Sequence, residues 1–147
     1  MTLLAVLYLS LVTYLAPTTP AQDRTLTGTW LLSADAVSGE TGDGGTWTRT
    51  AVKGTLDIEE HDGTLKGTWK GPAGAAWTLT GRIEGGKFEI LTETRSLPVT
   101  RDGEQSTATV RWTFRGSAAG DTMKGTMALG RGDDGEEHLQ PFSGKRR

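Results

Sequence analysis

The chain contains no cysteine, which excludes a disulfide framework, a thiolate metal site, a thiol nucleophile and a cysteine-linked lipid anchor. Histidine is nearly as scarce, with only His61 and His138. One falls in a tight turn and the other near the last strand. No Gly-x-Ser-x-Gly elbow is present, so a hydrolytic triad is disfavoured. Charge of one sign is also lacking. The formal net charge is −2, with basic and acidic residues interspersed, which gives no electrostatic reason to expect nucleic acid as a partner. Only the tail Lys145-Arg146-Arg147 is locally basic. At 147 residues the chain has room for one self-supporting core.

Long apolar runs are confined to one place. Leu3 to Ala16 is almost continuously apolar, and no charged residue precedes Asp23. The run is short for a bilayer span. Pro17-Thr18-Thr19-Pro20-Ala21 then supplies helix-breaking prolines and small residues. Residues 1–21 therefore read as a secretory leader cut between Ala21 and Gln22. The expected mature domain is 22–147, exported to a periplasm or cell exterior and without a membrane span. The run lacks the Lys or Arg that usually precedes a bacterial leader's apolar segment. The alternative is a buried N-terminal helix, against which the absence of amphipathic period and of a cap both count.

After Ala21 the chain is rich in Gly and Thr and alternates in short runs between turn signals, the pattern of an all-β domain. Leu26, Gly28, Trp30 and Leu32 share one face of a first strand. A Gly-rich loop runs to about Gly45. Val52, Gly54, Leu56 and Ile58 form the second inward face, and His61-Asp62-Gly63 is a turn. Leu65, Gly67 and Trp69 answer on the third strand. After Pro72-Ala73-Gly74, Trp77, Leu79, Gly81 and Ile83 make the fourth, and Gly85-Gly86 leads into Phe88 and Ile90 on the fifth. Val110, Trp112 and Phe114 mark the sixth, Met123, Gly125, Met127 and Leu129 the seventh, and the eighth runs from about Glu137 to Arg146. Eight strands joined by hairpins predict a single antiparallel up-and-down β-barrel.

An apolar-x-Gly-x-apolar repeat supports closure. It occurs at Leu26 to Trp30, Val52 to Leu56, Leu65 to Trp69, Leu79 to Ile83 and Met123 to Met127. Inward glycines let strongly coiled strands bend and let large neighbours fill the interior. No helix follows any copy, so the repeat does not read as a phosphate loop.

The segment "LTGTW" at Leu26 to Trp30 resembles the Gly-x-Trp signature of the calycin superfamily, which includes lipocalins and avidins. The resemblance implies that Trp30 closes the barrel floor against an arginine on the final strand, which "FSGKRR" supplies as Arg146. A cation over an indole face contributes roughly 0.5 to 2 kcal/mol. "GTLKGTW" and "WTLTGRIE" extend a looser likeness to avidins. The biotin contacts of that family do not carry over, because the corresponding positions are Leu32, Ala36, Trp69 and Gly71. The nearest likeness is to small exported bacterial calycin-like proteins of unassigned function, with Asp-Gly-x-Leu-x-Gly-Thr hairpins such as "HDGTLKGT".

Candidate sites are few. His61 with Glu59, Glu60 and Asp62 reads as a solvated hairpin end rather than a metal site, since adjacent side chains on a strand point to opposite faces. The acidic loops around Asp35, Glu40 and Asp43, and Asp133-Asp134-Gly135-Glu136-Glu137, offer carboxylates for calcium but match no spaced calcium loop, so solvated loops are favoured. Arg131-Gly132-Asp133 spells an adhesion tripeptide that arises easily by chance in such a loop. No cofactor is expected.

The tryptophans speak most to function. Trp30, Trp69, Trp77 and Trp112 fall on inward faces, and Trp47 lies near the entry to the second strand. Inward aromatics in small barrels are usually core. The functional reading is an apolar cup lined by Trp69, Trp77, Trp112, Phe88, Phe114, Met123 and Met127, with Thr92, Thr94 and Ser96 continuing the face of Phe88 and Ile90 as polar groups. Such a cup suits a small apolar or amphipathic ligand. The competing reading is a filled barrel that acts through its outer face as a structural or protein-interaction domain. An enzyme comes third, because the inward faces offer no carboxylate.

Overall fold

A computed structural model of the protein describes residues 25–131 and 138–147. The expected leader and the acidic run Asp133 to Glu137 lie outside the described residues, as does most of Arg131-Gly132-Asp133. The strands are β1 (Gly28–Ala34), β2 (Val37–Glu40), β3 (Thr46–Arg49), β4 (Val52–His61), β5 (Thr64–Lys70), β6 (Ala76–Glu84), β7 (Lys87–Thr92), β8 (Arg95–Arg101), β9 (Glu104–Ala119), β10 (Thr122–Arg131) and β11 (Gln140–Arg146).

Eight of these close a barrel in the order β1-β4-β5-β6-β7-β9-β10-β11, with β11 returning to pair with β1. Every pairing is antiparallel. These are the eight strands expected from the sequence, because a barrel buries one face of each strand and so imposes a strict period of two. Trp30, Leu32, Val52, Leu56, Leu65, Trp69, Trp77, Leu79, Ile90, Trp112, Phe114, Met123, Met127 and Phe142 form one continuous buried core.

Two-residue turns close the hairpins. Asp62-Gly63, Gly85-Gly86 and Asp102-Gly103 hold positive φ at both central positions, the type I′ geometry whose twist matches that of paired strands. The repeat glycines admit close packing. A Cβ on Gly125 would lie 2.6 Å from the Cα of Gly116, its direct partner on β9. A Cβ on Gly54 would lie 2.3 Å from the ring of Trp69, so the indole lies over that glycine.

At one end the segment before β1 meets β11. Trp30 pairs in register with Arg146, whose guanidinium carbon lies 4.4 Å from the indole centroid. Arg146 Nη2 donates to the Thr25 carbonyl at 2.8 Å, Nη1 donates to that of Thr27, and Nε lies 3.3 Å from the Asp121 carboxylate. Trp30 Nε1 donates to the Leu26 carbonyl at 2.9 Å. One arginine thus ties the segment before β1, the β9–β10 turn and β11 together.

The other end differs from the sequence-based expectation in two ways. The Gly-rich stretch before Val52 contains the hairpin β2–β3, which forms its own two-stranded sheet. Trp47 of this hairpin packs against Gly39 and stacks on His138, with ring centroids 4.3 Å apart. The second difference concerns β7 and β8, which lie end to end along the same edge of β9. Leu91 pairs with Thr113 and Arg95 with Val110. Three residues, Thr92 to Thr94, therefore face two, Arg111 and Trp112. This bulge shifts the phase of the strand by one residue. Phe88, Ile90 and Thr92 face inward before it, and Arg95, Leu97 and Val99 turn toward the packed side after it. Thr94 and Ser96 are exposed, which corrects the expectation that they continue the face of Phe88 and Ile90.

Candidate functional site

Most of the barrel is filled. Trp30, Trp69, Phe114, Leu56, Leu65, Leu79, Ile90 and Met127 are almost wholly excluded from solvent. Phe88, Phe142, Phe114, Trp69 and Trp112 form a chain of ring contacts along the interior. Trp69 meets Phe114 edge-on at 5.1 Å and Trp112 at 5.7 Å. Such contacts add roughly 0.5 to 1.5 kcal/mol each beyond burial. Trp69 Nε1 is buried without a hydrogen-bond partner among the described residues. An orphaned donor of this kind costs about 1 to 3 kcal/mol, and it lies beside Gly71 at the mouth.

A hollow remains where the chain of rings ends. A cleft of about 350 Å3 opens at the barrel mouth, walled by Trp77 of β6, Trp112 of β9, Leu97 of β8, Leu129 of β10, Val52 of β4 and the Pro72 turn. Its polar groups are Arg49 of β3, Thr50, Arg95 of β8 and Gln140 of β11. Arg49, Leu97 and Leu129 also border an adjoining groove of about 940 Å3 between the β2–β3 hairpin and the β8–β9 arm. The mouth is thus framed by the two features that the alternation pattern did not reveal.

Each polar group has a defined position. Gln140 is buried, and its Nε2 donates to the carbonyls of Asp35 at 2.6 Å and Thr50 at 2.9 Å. It fastens both ends of the hairpin excursion to the barrel. Arg95 lies over Trp77 at 4.3 Å from the ring centroid, donates to the Ala76 carbonyl and pairs with Glu93 at 2.6 Å. The Arg95 hydrogen bond, helped by the Thr78 N–H, holds the Glu93 carboxyl below the usual range. Arg49 is half-buried and desolvation pushes its pKa below the ordinary value, with no counter-charge among the described residues offsetting it. Thr92 sits beneath the cleft at the bulge, where its hydroxyl accepts from the Trp112 N–H at 2.8 Å and donates to the Glu93 carbonyl at 3.0 Å.

Of the candidate ligand contacts, Trp77 and Trp112 line this cleft. Trp69, Phe88, Phe114, Met127 and Thr92 lie in the packed interior below it, and Thr94 faces solvent. Trp30 and Arg146 close the opposite end. Arg49, Arg95, Leu97 and Gln140 were missed. The inverted phase of Leu97 and Val99 relative to Phe88 and Ile90 was the available signal for two of them. Arg49 and Gln140 carry none.

The other charged clusters do not line the cleft, although Asp43 borders the adjoining groove with Arg49. His61 and Asp62 are both fully solvated at their turn, 3.4 Å apart. Asp43 accepts hydrogen bonds from the Thr41 hydroxyl and the Gly45 N–H within its own loop, and the Thr41 hydroxyl chiefly holds its carboxyl below the usual range. Among the described residues no three acidic or imidazole side chains converge on a metal-sized space, and no helix is long and apolar enough to cross a membrane.

No protein-family model matches the chain, and no curated protein matches its sequence.

Proposed function

We propose that the protein is an exported, non-enzymatic barrel that binds a small apolar or amphipathic molecule at its open mouth, against Trp77 and Trp112. The observation that carries this reading is the cleft itself, a hollow with aromatic and aliphatic walls and a few fixed polar groups on top of an otherwise packed interior. Its volume lies near the lower end of the roughly 300 to 1,000 Å3 usual for ligand sites, so the occupant is small. The guanidinium, amide and hydroxyl groups at the rim are suited to orienting a ligand. The apolar run before Asp23 supports export, and the Trp30–Arg146 closure supports the calycin resemblance.

A second reading, a filled barrel acting through protein contacts, draws on the dense packing of Trp30, Trp69 and Phe114. Native mass spectrometry of the chain from Gln22 onward, purified gently from cells that export it, separates the two. A discrete bound mass that disappears in Trp112→Ala supports the ligand site. A clean apo mass from several hosts supports the filled barrel.

A further inference from the structure

We propose that Arg49 recognises the negatively charged end of the occupant, making the ligand class a small organic carboxylate with an apolar body. This rests on the mouth cleft being a ligand site. Among the described residues two guanidinium groups border the cleft, and they are not equivalent. Arg95 is already engaged by Glu93, the Ala76 carbonyl and the face of Trp77. Its charge is balanced by Glu93, and the Nε–Nη2 edge of its fork is spent on the protein.

Arg49 stands apart. It is half-buried at the boundary of the mouth cleft and the adjoining groove, and no carboxylate among the described residues pairs with it. Burial alone perturbs it. A cation that has lost part of its hydration without gaining a counter-charge leaves unmet electrostatic demand, which an entering anion satisfies. The planar guanidinium fork fits a carboxylate through two parallel hydrogen bonds. Gln140, the other fixed polar group, does not compete as a donor, because both hydrogens of its amide serve the Asp35 and Thr50 carbonyls. Trp77, Trp112, Leu97 and Leu129 are left to cover the apolar body. The cleft thus reads as one cationic end and one apolar wall.

The test is isothermal titration of the chain from Gln22 with three probes of equal tail length, each below its aggregation threshold: decanoate, decanol and decyltrimethylammonium. The wild type is compared with Arg49→Gln, Arg49→Lys and Trp112→Ala, with circular dichroism confirming that each variant folds. Decanoate is expected to bind roughly tenfold tighter than decanol, as one charge-assisted contact implies, and decyltrimethylammonium weakest. Arg49→Gln removes that margin and leaves decanol unchanged, while Arg49→Lys keeps part of it. Trp112→Ala weakens decanoate and decanol alike. Equal affinity for decanoate and decanol, or decanoate binding indifferent to Arg49→Gln, overturns the carboxylate assignment while the Trp112→Ala effect still upholds the cleft. Failure of all three probes to bind, or binding that Trp112→Ala does not alter, overturns the cleft reading and this inference with it.

Discussion

Replacing Arg146 by alanine removes several interactions at once, and their sum can be worked out from the geometry. The guanidinium stacks on a fully buried Trp30 while its own side chain is mostly covered, so the cation–π contact is worth about 1 to 2 kcal/mol. Two hydrogen bonds to the Thr25 and Thr27 carbonyls are lost. Water can reach those carbonyls once the side chain is gone, so each counts for about 1 kcal/mol. The pair with the exposed Asp121 carboxylate adds roughly 0.2 to 1 kcal/mol. The total is about 3 to 5 kcal/mol, a large share of the ~5 to 15 kcal/mol that holds a typical domain together. Arg146→Lys keeps a cation but loses the fork that reaches both carbonyls, and about half the loss is expected. Urea unfolding followed by tryptophan emission measures both variants. A loss below about 1 kcal/mol for Arg146→Ala would refute the reasoning, since closure would then rest on apolar packing alone.

Other substitutions test the mouth and the bulge. Thr92→Val removes the acceptor for the buried Trp112 N–H, at an expected cost of about 1 to 3 kcal/mol, with the Trp112 amide losing much of its protection from hydrogen exchange. Gly71→Ala places a Cβ 2.8 Å from Trp69 Nε1 and is expected to destabilise by roughly 1 to 3 kcal/mol, as overpacking does; unchanged urea unfolding would contradict the contact. Gln140→Ala frees the Asp35 and Thr50 carbonyls, and faster hydrogen exchange across Val37 to Arg49 than across the barrel is expected. Acidification tests the Glu93–Arg95 clip. The folded carboxyl is held below its ordinary value of 4.5, so its contribution is present above that value and is lost as pH falls through the lower folded one. Trp77 emission should change in that acid window, and Glu93→Gln should abolish the step.

The sequence made the barrel legible because closure buries one face of every strand. Val52 to Ile58, Leu65 to Trp69 and Trp77 to Ile83 could each hold only one phase, and the structure keeps that phase in all of them. The mouth was less legible for physical reasons. Val37 to Glu40 and Thr46 to Arg49 are four-residue strands lying outside the barrel, and none of their residues is fully buried. Burial therefore imposes no strong pattern there. The bulge at Thr92 to Thr94 adds a single residue, and extrapolating the alternation across it exchanges inward for outward positions. That exchange placed Thr94 in the candidate site and left Arg95 and Leu97 out. The tryptophans were placed inside the barrel by their phase, but phase does not report depth. Trp69 proved to be packing, whereas Trp77 and Trp112 reach the hollow.

The claim that the mouth between Trp77 and Trp112 is the ligand site is tested most directly by the indole N–H signals in a proton–nitrogen correlation spectrum, followed as sodium decanoate is added below its micelle threshold. The five tryptophans give five reporters spread along the molecule. The account predicts saturable shifts for Trp77 and Trp112, with Trp30 at the closed end unmoved. Saturable shifts centred on Trp30, or five signals that do not respond at all, would contradict it.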